Sequence, residues 1–499
     1  MAKGLMILGT GSDVGKSITV TAICRILRNR GIKVAPFKAQ NMSNNSFITV
    51  EGGEIGRAQV VQAEAAGILP SVHMNPVLLK PSNNNTSQVI VQGKVVGNID
   101  SRTYHLIKPE LKRAILDSYN KLASQYDVIV MEGAGSCCEM NIKKHDIVNF
   151  PLAKELKVKC VIVGDIDRGG IFAQLIGTYY LMDQEERNLT KGFLINKFRG
   201  DPSLFKSGIE YIERSTSIPV LGLIPYVEDL RIDPEDSVII QKERLKKQVT
   251  LPQKINIAVV RLPSISNFTD LQILSMEKDV IVNYLFSPDE LTPMYDCLII
   301  PGTKNAMEDC LWIKNTGWSE KVRQFAEDGK IVLGICGGFQ ILGMRIKDPY
   351  GIESRRGEVE GIGLLPVETV LFSEKVLRKV KGRCLVNDKN VEGYEIHMGR
   401  TVSIHKKGTP FLELALGGRV WKDGWVNERG NVMGTYLHGI MDSDEFREDF
   451  LNKIRIKKGL APKKSEPVAL SRFKEYDRLA QHFERYCDIE RLIKIIEDE

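Results

Sequence analysis

The sequence predicts an α/β fold made of two doubly wound domains, each built on a mostly parallel sheet. Short, continuously apolar runs alternate with longer helical patterns in both halves of the chain, as expected for strands that helices cover on both faces. Each half also contains a glycine-rich turn between such a run and a helical pattern. A charged stretch at 241–254, which contains a proline and lacks a core pattern, separates the two series.

In the first half, six apolar runs predict strands: Leu5–Leu8, Lys33–Phe37, Asp127–Met131, Cys160–Val163, Phe193–Ile195 and Val220–Ile224. Between the first two runs, Ser17–Arg30 has apolar residues at helical spacing and is followed by Gly31, a suitable C-terminal stop. The strand–helix–strand order favours parallel pairing, because crossover connections join parallel neighbours. We expect a first domain over residues 1–240.

The second series begins at Ile255. Its predicted strands are Ile257–Val260, Cys297–Ile300, Ile331–Gly334 and Val432–Tyr436. From about Asp444 onwards the chain is rich in charge and has apolar residues at helical spacing, which predicts helices that close the second domain. We therefore expect a linker at 241–254 and a second domain over 255–499.

The composition excludes several classes of protein. The 499 residues include 69 Lys and Arg against 63 Asp and Glu, and a net charge of +6 over this length gives no indication of nucleic-acid binding. No apolar run approaches the roughly 20 residues that span a bilayer, and the N-terminal apolar stretch is too short for a secretory signal. Nine cysteines without a Cys-x-x-Cys pair argue against a disulfide framework or a zinc site. We expect a reduced cytoplasmic protein that binds neither nucleic acid nor membrane.

A glycine-rich loop follows the first predicted strand and leads directly into the first helix. Its backbone N–H groups and the helix N-terminus suit a nucleotide phosphate. Lys16 would reach the β- and γ-phosphates, and the Ser17 hydroxyl would bind Mg²⁺. Thr10 stands where the strict motif has its first glycine. The predicted nucleotide-binding residues of this loop are Thr10, Gly11, Asp13, Val14, Gly15, Lys16 and Ser17.

Polar residues at or beyond the ends of the other predicted strands extend this site, because ligands bind at the carboxyl edge of a parallel sheet. Glu132 is the expected carboxylate partner of Mg²⁺. Lys38 can neutralise an acidic group of the substrate. Asp146 either orients a nucleophile or binds Mg²⁺, and Asn196 is placed to read the adenine edge.

A second reactive centre is predicted around Cys336, which follows a strand in a Gly-x-Cys-x-Gly turn that opens a helical pattern. Such a turn exposes a nucleophile at a helix N-terminus, where a thiolate is stabilised. His438, at the end of another predicted strand, can protonate the leaving amine. The oxyanion would be held by the backbone amide of Gly337 and by the turn that contains Gly302 and Thr303.

The second half resembles the class I glutamine amidotransferases, with a flavodoxin-like sheet, in its Gly-Ile-Cys-Gly-Gly, Pro-Gly-Thr and Leu-His-Gly segments. The resemblance implies that Cys336 attacks the side-chain amide of L-glutamine, forms a thioester and releases ammonia. The glutamate that usually stands two residues after the histidine is Ile440 here. Either another group orients His438 or the site works as a dyad. The cobyric and cobyrinic amidotransferases share this departure.

The first half resembles dethiobiotin synthetase, a P-loop enzyme that activates a carboxylate with ATP. The combined domain order is similar to the cobyric acid synthase family. This implies ATP and Mg²⁺ as cofactors and, as substrate, the corrinoid adenosylcobyrinic acid a,c-diamide, whose b, d, e and g carboxylates become amides. Residue spacing alone predicts only ATP-dependent amidation of a carboxylate. The segments that carry the resemblance are Thr10–Ser17, Lys38–Asn45, Met74–Pro81, Asp165–Gly170 and Gly393–Thr401.

Two alternatives stay open at this point. Cobyrinic acid a,c-diamide synthase has the same domain order, although the Asn-Met-Ser-Asn-Asn and Asp-Ile-Asp-Arg-Gly-Gly segments favour the cobyric acid synthase family. A switch ATPase of the chromosome-partitioning type could carry an inert amidotransferase-like domain. The intact Cys336 and His438 argue against an inert domain.

Overall fold

The computed structural model describes residues 2–81, 86–233 and 248–498. The chain divides into two compact units, which are described separately. Unit 1 comprises Met1–Ser43, Thr49–Glu235 and Arg472–Glu499, and unit 2 comprises Asn44–Ile48 and Asp236–Ser471. No helix within the described ranges combines the length and the apolar character that a membrane span requires.

The first half of the chain alternates strands and helices. Its strands are β1 Lys3–Gly9, β2 Val34–Phe37, β3 Gln40–Met42, β4 Ser46–Ile48, β5 Glu54–Gly56, β6 Val77–Pro81, β7 Thr86–Val91, β8 Lys94–Asp100, β9 Val128–Glu132, β10 Lys159–Asp165, β11 Thr190–Phe198 and β12 Val220–Pro225. Its helices are α1 Lys16–Asn29, α2 Arg57–Ala66, α3 Ser101–Ala123, α4 Phe150–Leu156, α5 Ile171–Leu181, α6 Gln184–Leu189 and α7 Lys206–Thr216.

The second half begins a new series. Its strands are β13 Ile255–Val260, β14 Val280–Leu285, β15 Cys297–Ile300, β16 Ile331–Ile335, β17 Arg345–Lys347, β18 Glu358–Glu360, β19 Val367–Cys384, β20 Asn390–Ser403, β21 Leu412–Leu416, β22 Arg419–Asp423, β23 Trp425–Val426, β24 Val432–Thr435 and β25 Leu437–His438. Its helices are α8 Gln272–Met276, α9 Ala306–Asn315, α10 Trp318–Glu327, α11 Gly337–Leu342, α12 Asp444–Lys457, α13 Val468–Tyr486 and α14 Ile489–Glu497.

Unit 1 is centred on a parallel six-stranded sheet in the order β12-β11-β10-β1-β9-β2. All six strands predicted in the first half lie in it. Side chains of the central strand alternate between two cores, with Leu5 and Ile7 in one and Met6 and Leu8 in the other. Both faces are therefore covered, which is why the strand is apolar at every position. A separate four-stranded sheet has the order β3-β6-β7-β8.

The C-terminal helices differ from the sequence expectation, which assigned them to the second domain. From Arg472 onwards, α13 and α14 belong to unit 1. Leu479 and Phe483 are buried in the same core as α1, and the carboxylate of Asp477 accepts two hydrogen bonds from Arg25, at 2.7 and 2.8 Å. Helical spacing revealed that this tail is amphipathic, but it carried no information about which core the apolar face covers.

Unit 2 is built on the sheet β14-β13-β15-β16-β24-β23, parallel except at β23. The predicted strand over Val432–Tyr436 is interrupted, because β24 ends at Thr435 and β25 pairs instead with β20. That switch places His438 beside a second, largely antiparallel sheet that is dominated by the long β19–β20 hairpin.

The expected linker at 241–254 is described only in part, since 241–247 lie outside the described residues. Within the described part, the Gln248 backbone N–H donates to Asn283 Oδ1 at 3.0 Å, and Asn283 Nδ2 donates to the Gln248 carbonyl at 2.9 Å. The segment from Gln248 onwards is therefore tied to β14.

Candidate active sites

The thiol centre begins with a strained turn. Cys336 joins β16 to α11 with φ 52° and ψ −107°, a backbone conformation that residues with a Cβ rarely adopt. Its N–H donates to the Thr435 carbonyl at 2.8 Å, which ties the turn to β24. The residue is 7 % exposed. The geometry is that of the nucleophile elbow expected from the flanking glycines.

The glycines around the turn are required by close packing. A Cβ on Gly337 would lie 2.4 Å from Thr303 Cγ2, and a Cβ on Gly338 would lie 1.9 Å from the Ile300 carbonyl oxygen. A Cβ on Gly302 would lie 3.1 Å from His438 Cε1. The turn after β15 thus lies against both the N-terminus of α11 and the imidazole. The structure brings together the predicted group: Cys336, His438, Gly302, Thr303 and Gly337.

The residue that orients His438 is Asp270. Its Oδ2 lies 2.6 Å from His438 Nδ1, and its Oδ1 accepts hydrogen bonds from the Gly439 backbone at 3.1 Å and from the Tyr394 hydroxyl at 3.4 Å. Asp270 lies in a short 3₁₀ turn that precedes α8. The sequence does not reveal Asp270, because the residue stands 168 positions before the histidine and no spacing marks it. The absent glutamate was the one available indication that an acceptor had to come from elsewhere.

The charge state of the pair follows from its surroundings. Burial alone lowers the pKa of His438, but the carboxylate of Asp270 and the sulfur of Cys336 outweigh it and raise that pKa to about 10. The imidazole is therefore protonated at neutral pH. Cys336 Sγ donates to the Ile396 carbonyl at 3.4 Å.

The phosphate loop connects β1 to α1, and Gly15 precedes the helix with φ 108°. Lys16 Nζ donates to the carbonyls of Gly11 at 2.8 Å and Gly135 at 2.9 Å, so its ammonium lies over the loop. A Cβ on Gly9 would lie only 3.0 Å from Lys16 Cδ. The lysine is thus held by carbonyl acceptors that an anionic ligand can replace.

Buried polar side chains next to this loop form a cluster around Glu132. Its Oε1 accepts hydrogen bonds from Ser17 Oγ and from Lys38 Nζ, both at 2.8 Å, and its Oε2 accepts from Gln62 Nε2 at 2.6 Å. Gln62 Oε1 is buried and has no hydrogen-bond partner among the described residues. Carboxylate, hydroxyl and amide oxygens are the ligands that Mg²⁺ prefers, so this donor set fits the ion. Gln62 was not identified from the sequence.

Other predicted residues contact the loop itself. The Thr10 N–H, just beyond the end of β1, donates to the Val163 carbonyl of β10 at 3.0 Å. Asn196 Nδ2 donates to the Val14 carbonyl at 2.9 Å, so the amide expected to read adenine supports the loop backbone. Lys197 Nζ lies 2.5 Å from the Asp13 carbonyl.

Asp146 lies in the turn before α4, and its Oδ1 accepts hydrogen bonds from the backbone of Val148 at 2.7 Å and of Asn149 at 3.3 Å. The Asn149 side chain in turn pairs with both backbone groups of Ala134, each at 3.0 Å. Asp146 is thereby connected to the loop that follows Glu132. Within the described ranges, no group of three or more His, Cys, Asp or Glu residues is arranged to hold a metal ion.

Family models match both halves of the chain. Residues 5–238 match the CobQ/CobB/MinD/ParA nucleotide binding domain, and residues 256–446 match the CobB/CobQ-like glutamine amidotransferase domain. Curated relatives match the whole length. Cobyric acid synthase of Syntrophobacter fumaroxidans is 44 % identical, and that of Clostridium botulinum strain 657 is 45 % identical, each over 99 % of both chains. The chain belongs to the cobyric acid synthase family.

The relatives bear on the alternatives left open by the sequence. The cobyric acid synthase of Chlorobium phaeobacteroides is also 45 % identical over 99 % of both chains. Full-length similarity to the cobyric acid synthase family does not favour a cobyrinic acid a,c-diamide synthase or a switch ATPase. The nucleotide-binding half and the glutamine amidotransferase half of the family are both present.

Proposed function

We propose that this protein makes the b, d, e and g amides of adenosylcobyric acid from adenosylcobyrinic acid a,c-diamide, using ATP and L-glutamine. The observation that carries the proposal is a buried Cys336–His438–Asp270 arrangement in a chain that also has a phosphate loop. Each centre needs the other. Free ammonia is mostly ammonium at neutral pH and is then not a nucleophile, and a carboxylate is a poor electrophile.

The thiol centre supplies the nitrogen. The Cys336 thiolate attacks the side-chain carbonyl of glutamine, and the oxyanion is held by backbone N–H groups such as that of Gly337. Protonated His438 donates its proton to the leaving amine, and ammonia departs as the thioester forms. Neutral His438 then takes a proton from water, which hydrolyses the thioester to glutamate. Asp270 holds the imidazole in the required orientation throughout.

The nucleotide centre activates the acid. Lys16 neutralises charge on the β- and γ-phosphates, while Lys38, at the end of β2, holds the substrate carboxylate. A carboxylate oxygen attacks the γ-phosphorus and ADP leaves, which gives an acyl phosphate. Ammonia attacks that carbonyl carbon, and inorganic phosphate leaves with the carbon–oxygen bond electrons. Mg²⁺ held by Ser17 and Glu132 would neutralise the phosphate charge.

The two centres can be separated by substitution. In Cys336→Ala, we expect glutamine-dependent amidation to be lost and amidation with added ammonia to continue, because only the nitrogen supply is removed. Lys16→Ala should stop amidation with both nitrogen sources while glutamine hydrolysis continues. Cys384→Ala, which removes another buried thiol in the same unit, is the matched control and should retain both activities. Loss of both activities in Cys336→Ala would contradict the division of labour.

The identity of the acid is tested by the products. Each amidation exchanges a hydroxyl group for an amino group, a mass change that mass spectrometry of the corrinoid products resolves. Adenosylcobyrinic acid a,c-diamide should be converted stepwise, and cobyrinic acid should not be amidated at its a and c positions. The reverse preference would identify a cobyrinic acid a,c-diamide synthase instead.

A further inference from the structure

A buried carboxylate is bonded to the turn after β15 in unit 2, the glutaminase unit. Asp309 lies near the start of α9 and is 1 % exposed. Its Oδ2 accepts a hydrogen bond from the Thr303 hydroxyl, and the oxygen of that hydroxyl accepts one from the Asn305 N–H at 3.2 Å. A buried carboxylate is unfavourable unless hydrogen bonds compensate for its lost hydration. The turn supplies one of those bonds.

A second segment of the chain is bonded to the same carboxylate. The Ser264 N–H lies 3.2 Å from each oxygen of Asp309. The segment that contains Ser264 runs antiparallel to the turn after β15, because the Lys304 N–H donates to the Ser264 carbonyl at 2.9 Å and the Ser266 N–H donates to the Gly302 carbonyl at 2.8 Å. Asp309 therefore binds both chains of a small hydrogen-bonded frame.

The turn in this frame lies against the thiol centre. A Cβ on Gly337 would lie 3.1 Å from the backbone nitrogen of Thr303, and a Cβ on Gly302 would lie 3.1 Å from His438 Cε1. Gly337 directly follows Cys336, so the turn lies beside the backbone N–H groups that are expected to hold the oxyanion. Such donors stabilise an oxyanion because they are held in place before the charge develops.

The charge state of Asp309 suits a residue that holds two donors. Burial raises the pKa of its carboxyl to about 6, and hydrogen bonds from Thr303 and Ser264, together with the charge of Arg261, oppose that rise. The group is therefore ionised at neutral pH. An ionised carboxylate has acceptors only, and hydrogen bonds to it are stronger than bonds between neutral groups.

We propose that Asp309 is a positioning residue for the glutaminase, because it fixes the turn after β15 where the oxyanion formed from glutamine is stabilised. It acts through Thr303 and Ser264. The pair of Asp270 and His438 is held by other hydrogen bonds, so the charge on the imidazole is set without Asp309. This inference rests on the proposed function.

The first test is Asp309→Asn in the full chain, a change that keeps the size of the side chain but removes its charge and one acceptor. We expect glutaminase kcat to fall by roughly ten- to a hundredfold, since small misplacements of catalytic groups are costly. The KM for glutamine should stay within about twofold, because the lost interaction is made in the transition state. Amidation with added ammonia should be unchanged.

Two probes of the Cys336 thiol separate oxyanion stabilisation from thiol reactivity. Glutamate γ-semialdehyde forms a hemithioacetal: sulfur bonds to the carbonyl carbon, the π electrons move to oxygen and that oxygen takes the thiol proton. Iodoacetamide forms a sulfur–carbon bond as iodide leaves, and no oxyanion arises. In Asp309→Asn, semialdehyde inhibition should weaken by about the factor lost from kcat, while alkylation of Cys336 by iodoacetamide continues at the wild-type rate.

Thr303→Val tests the route of the effect, because valine keeps the shape of the side chain and removes the hydroxyl that Asp309 binds. If Asp309 acts through that hydroxyl, the double variant should lose clearly less activity than the product of the two single losses. Single losses that multiply in full would contradict the inference.

Asp279→Asn is the matched control. Asp279 is a mostly buried aspartate of unit 2 that accepts hydrogen bonds from Arg455 at 3.0 and 3.1 Å and pairs with Lys463 at 2.9 Å. Its loss should lower the thermal midpoint and leave glutaminase kcat, semialdehyde inhibition and alkylation as in the wild type.

The outcomes are distinct. A wild-type glutaminase kcat in Asp309→Asn overturns the inference, and so does an equal fall in the reactions with semialdehyde and iodoacetamide, which would mean a general disturbance of the thiol. The same kinetic losses in Asp279→Asn overturn it as well, since they would follow from lost stability alone. If the wild type releases no ammonia from glutamine, the proposed function itself fails.

Discussion

At the scale of single residues, the glutaminase depends on the carboxylate that lies opposite the His438 imidazole. Asp270 supplies it from a turn before α8, and buries both oxygens in hydrogen bonds to His438, Gly439 and Tyr394. A triad is thereby complete without a glutamate after the histidine. The carboxylate lies on the 3₁₀ turn before α8 and not two residues after His438, and it forms the same imidazole–carboxylate pair.

We predict that Asp270→Asn lowers glutaminase kcat by roughly 10²- to 10⁴-fold, the upper value being the effect of removing the carboxylate from a Ser-His-Asp triad. Since the carboxylate raises the pKa of His438 to about 10, its loss lowers that pKa and moves the alkaline limb of the pH profile to lower pH. Glutamine hydrolysis measured between neutral pH and pH 10 checks both effects.

The same substitution has a consequence for stability with a definite sign. A histidine whose pKa is raised in the folded state contributes stability that is complete below its ordinary pKa of 6.5 and is lost as the pH rises through about 10. Wild type and Asp270→Asn should therefore differ most in thermal midpoint below pH 6.5 and converge above pH 10. Asp328→Asn, an exposed aspartate of unit 2, is the control and should follow the wild type. A constant difference across this range would contradict the assignment of the charge pair.

The chemical role of a residue was predictable where the residue stands in a short sequence motif. Cys336, Lys16 and Ser17 stand in short motifs whose geometry follows from glycine and a helix start. Asp270 and Gln62 stand in no motif, and they reach their partners only through long-range packing. Asn196 stands at a predicted strand end, but its side-chain amide donates a hydrogen bond to a carbonyl of the phosphate loop. Its position at the strand end does not reveal that bond.

At the scale of elements, three segments that connect strands or helices meet at the thiol centre. The turn after β15, the turn between β16 and α11 and the chain between β24 and β25 meet with no room for extra atoms, as the contacts of Gly302, Gly337 and Gly338 show. These strands were predictable from the sequence, because their apolar runs are continuous. The predicted fourth strand extends through Tyr436, since hydropathy does not show that the chain passes from one sheet to another at that residue.

We predict that Gly302→Ala impairs the glutaminase selectively. The new Cβ would lie 3.1 Å from both His438 Cε1 and the Ser266 carbonyl oxygen, so the imidazole must shift by a few tenths of an ångström. We expect roughly a tenfold lower glutaminase kcat, because small misplacements of catalytic groups are costly, and unchanged amidation with added ammonia. Rates with the two nitrogen sources, measured side by side, check this.

Gly177→Ala provides the control for that prediction. Gly177 lies in α5 of unit 1, and a Cβ there would meet no heavy atom within 4 Å. Alanine should raise stability by about 1 kcal/mol through helix propensity and leave both activities intact. Equal glutaminase rates in Gly302→Ala and Gly177→Ala would show that the turn after β15 does not position His438.

At the scale of the whole molecule, sequence order and structural units differ. A boundary near 240 was visible in composition, and the family models end and begin around it. Composition did not show that residues 44–48 belong to unit 2, or that residues 472–499 belong to unit 1. The sequence of an amphipathic helix or of a short apolar segment is the same whichever core that segment covers. Such assignments depend on contacts between residues hundreds of positions apart, as between Arg25 and Asp477.

We predict that the C-terminal helices stabilise the nucleotide unit rather than the glutaminase unit. Leu479 is fully buried in the core of unit 1, so Leu479→Ala should cost about 2–5 kcal/mol there and lower ammonia-dependent amidation at elevated temperature. Leu470→Ala, on the same helix but 48 % exposed, is the control and should have little effect. Thermal unfolding followed with and without ATP checks the assignment, since nucleotide stabilises only the unit that binds it. A loss confined to the glutaminase would contradict it.

The return of the tail to unit 1 has a consequence for biosynthesis. The helical residues from Arg472 onwards, which belong to unit 1, are synthesised after the last residue of unit 2, so the nucleotide fold cannot be completed before every residue of the glutaminase unit has been made. The two catalytic halves consequently mature in the reverse of their genetic order, and a chain truncated after residue 471 and released from the ribosome should acquire a protease-resistant glutaminase without a protease-resistant ATPase. Limited digestion of released chains that end after residue 471, compared with the chain that includes the tail, would reveal this inverted order.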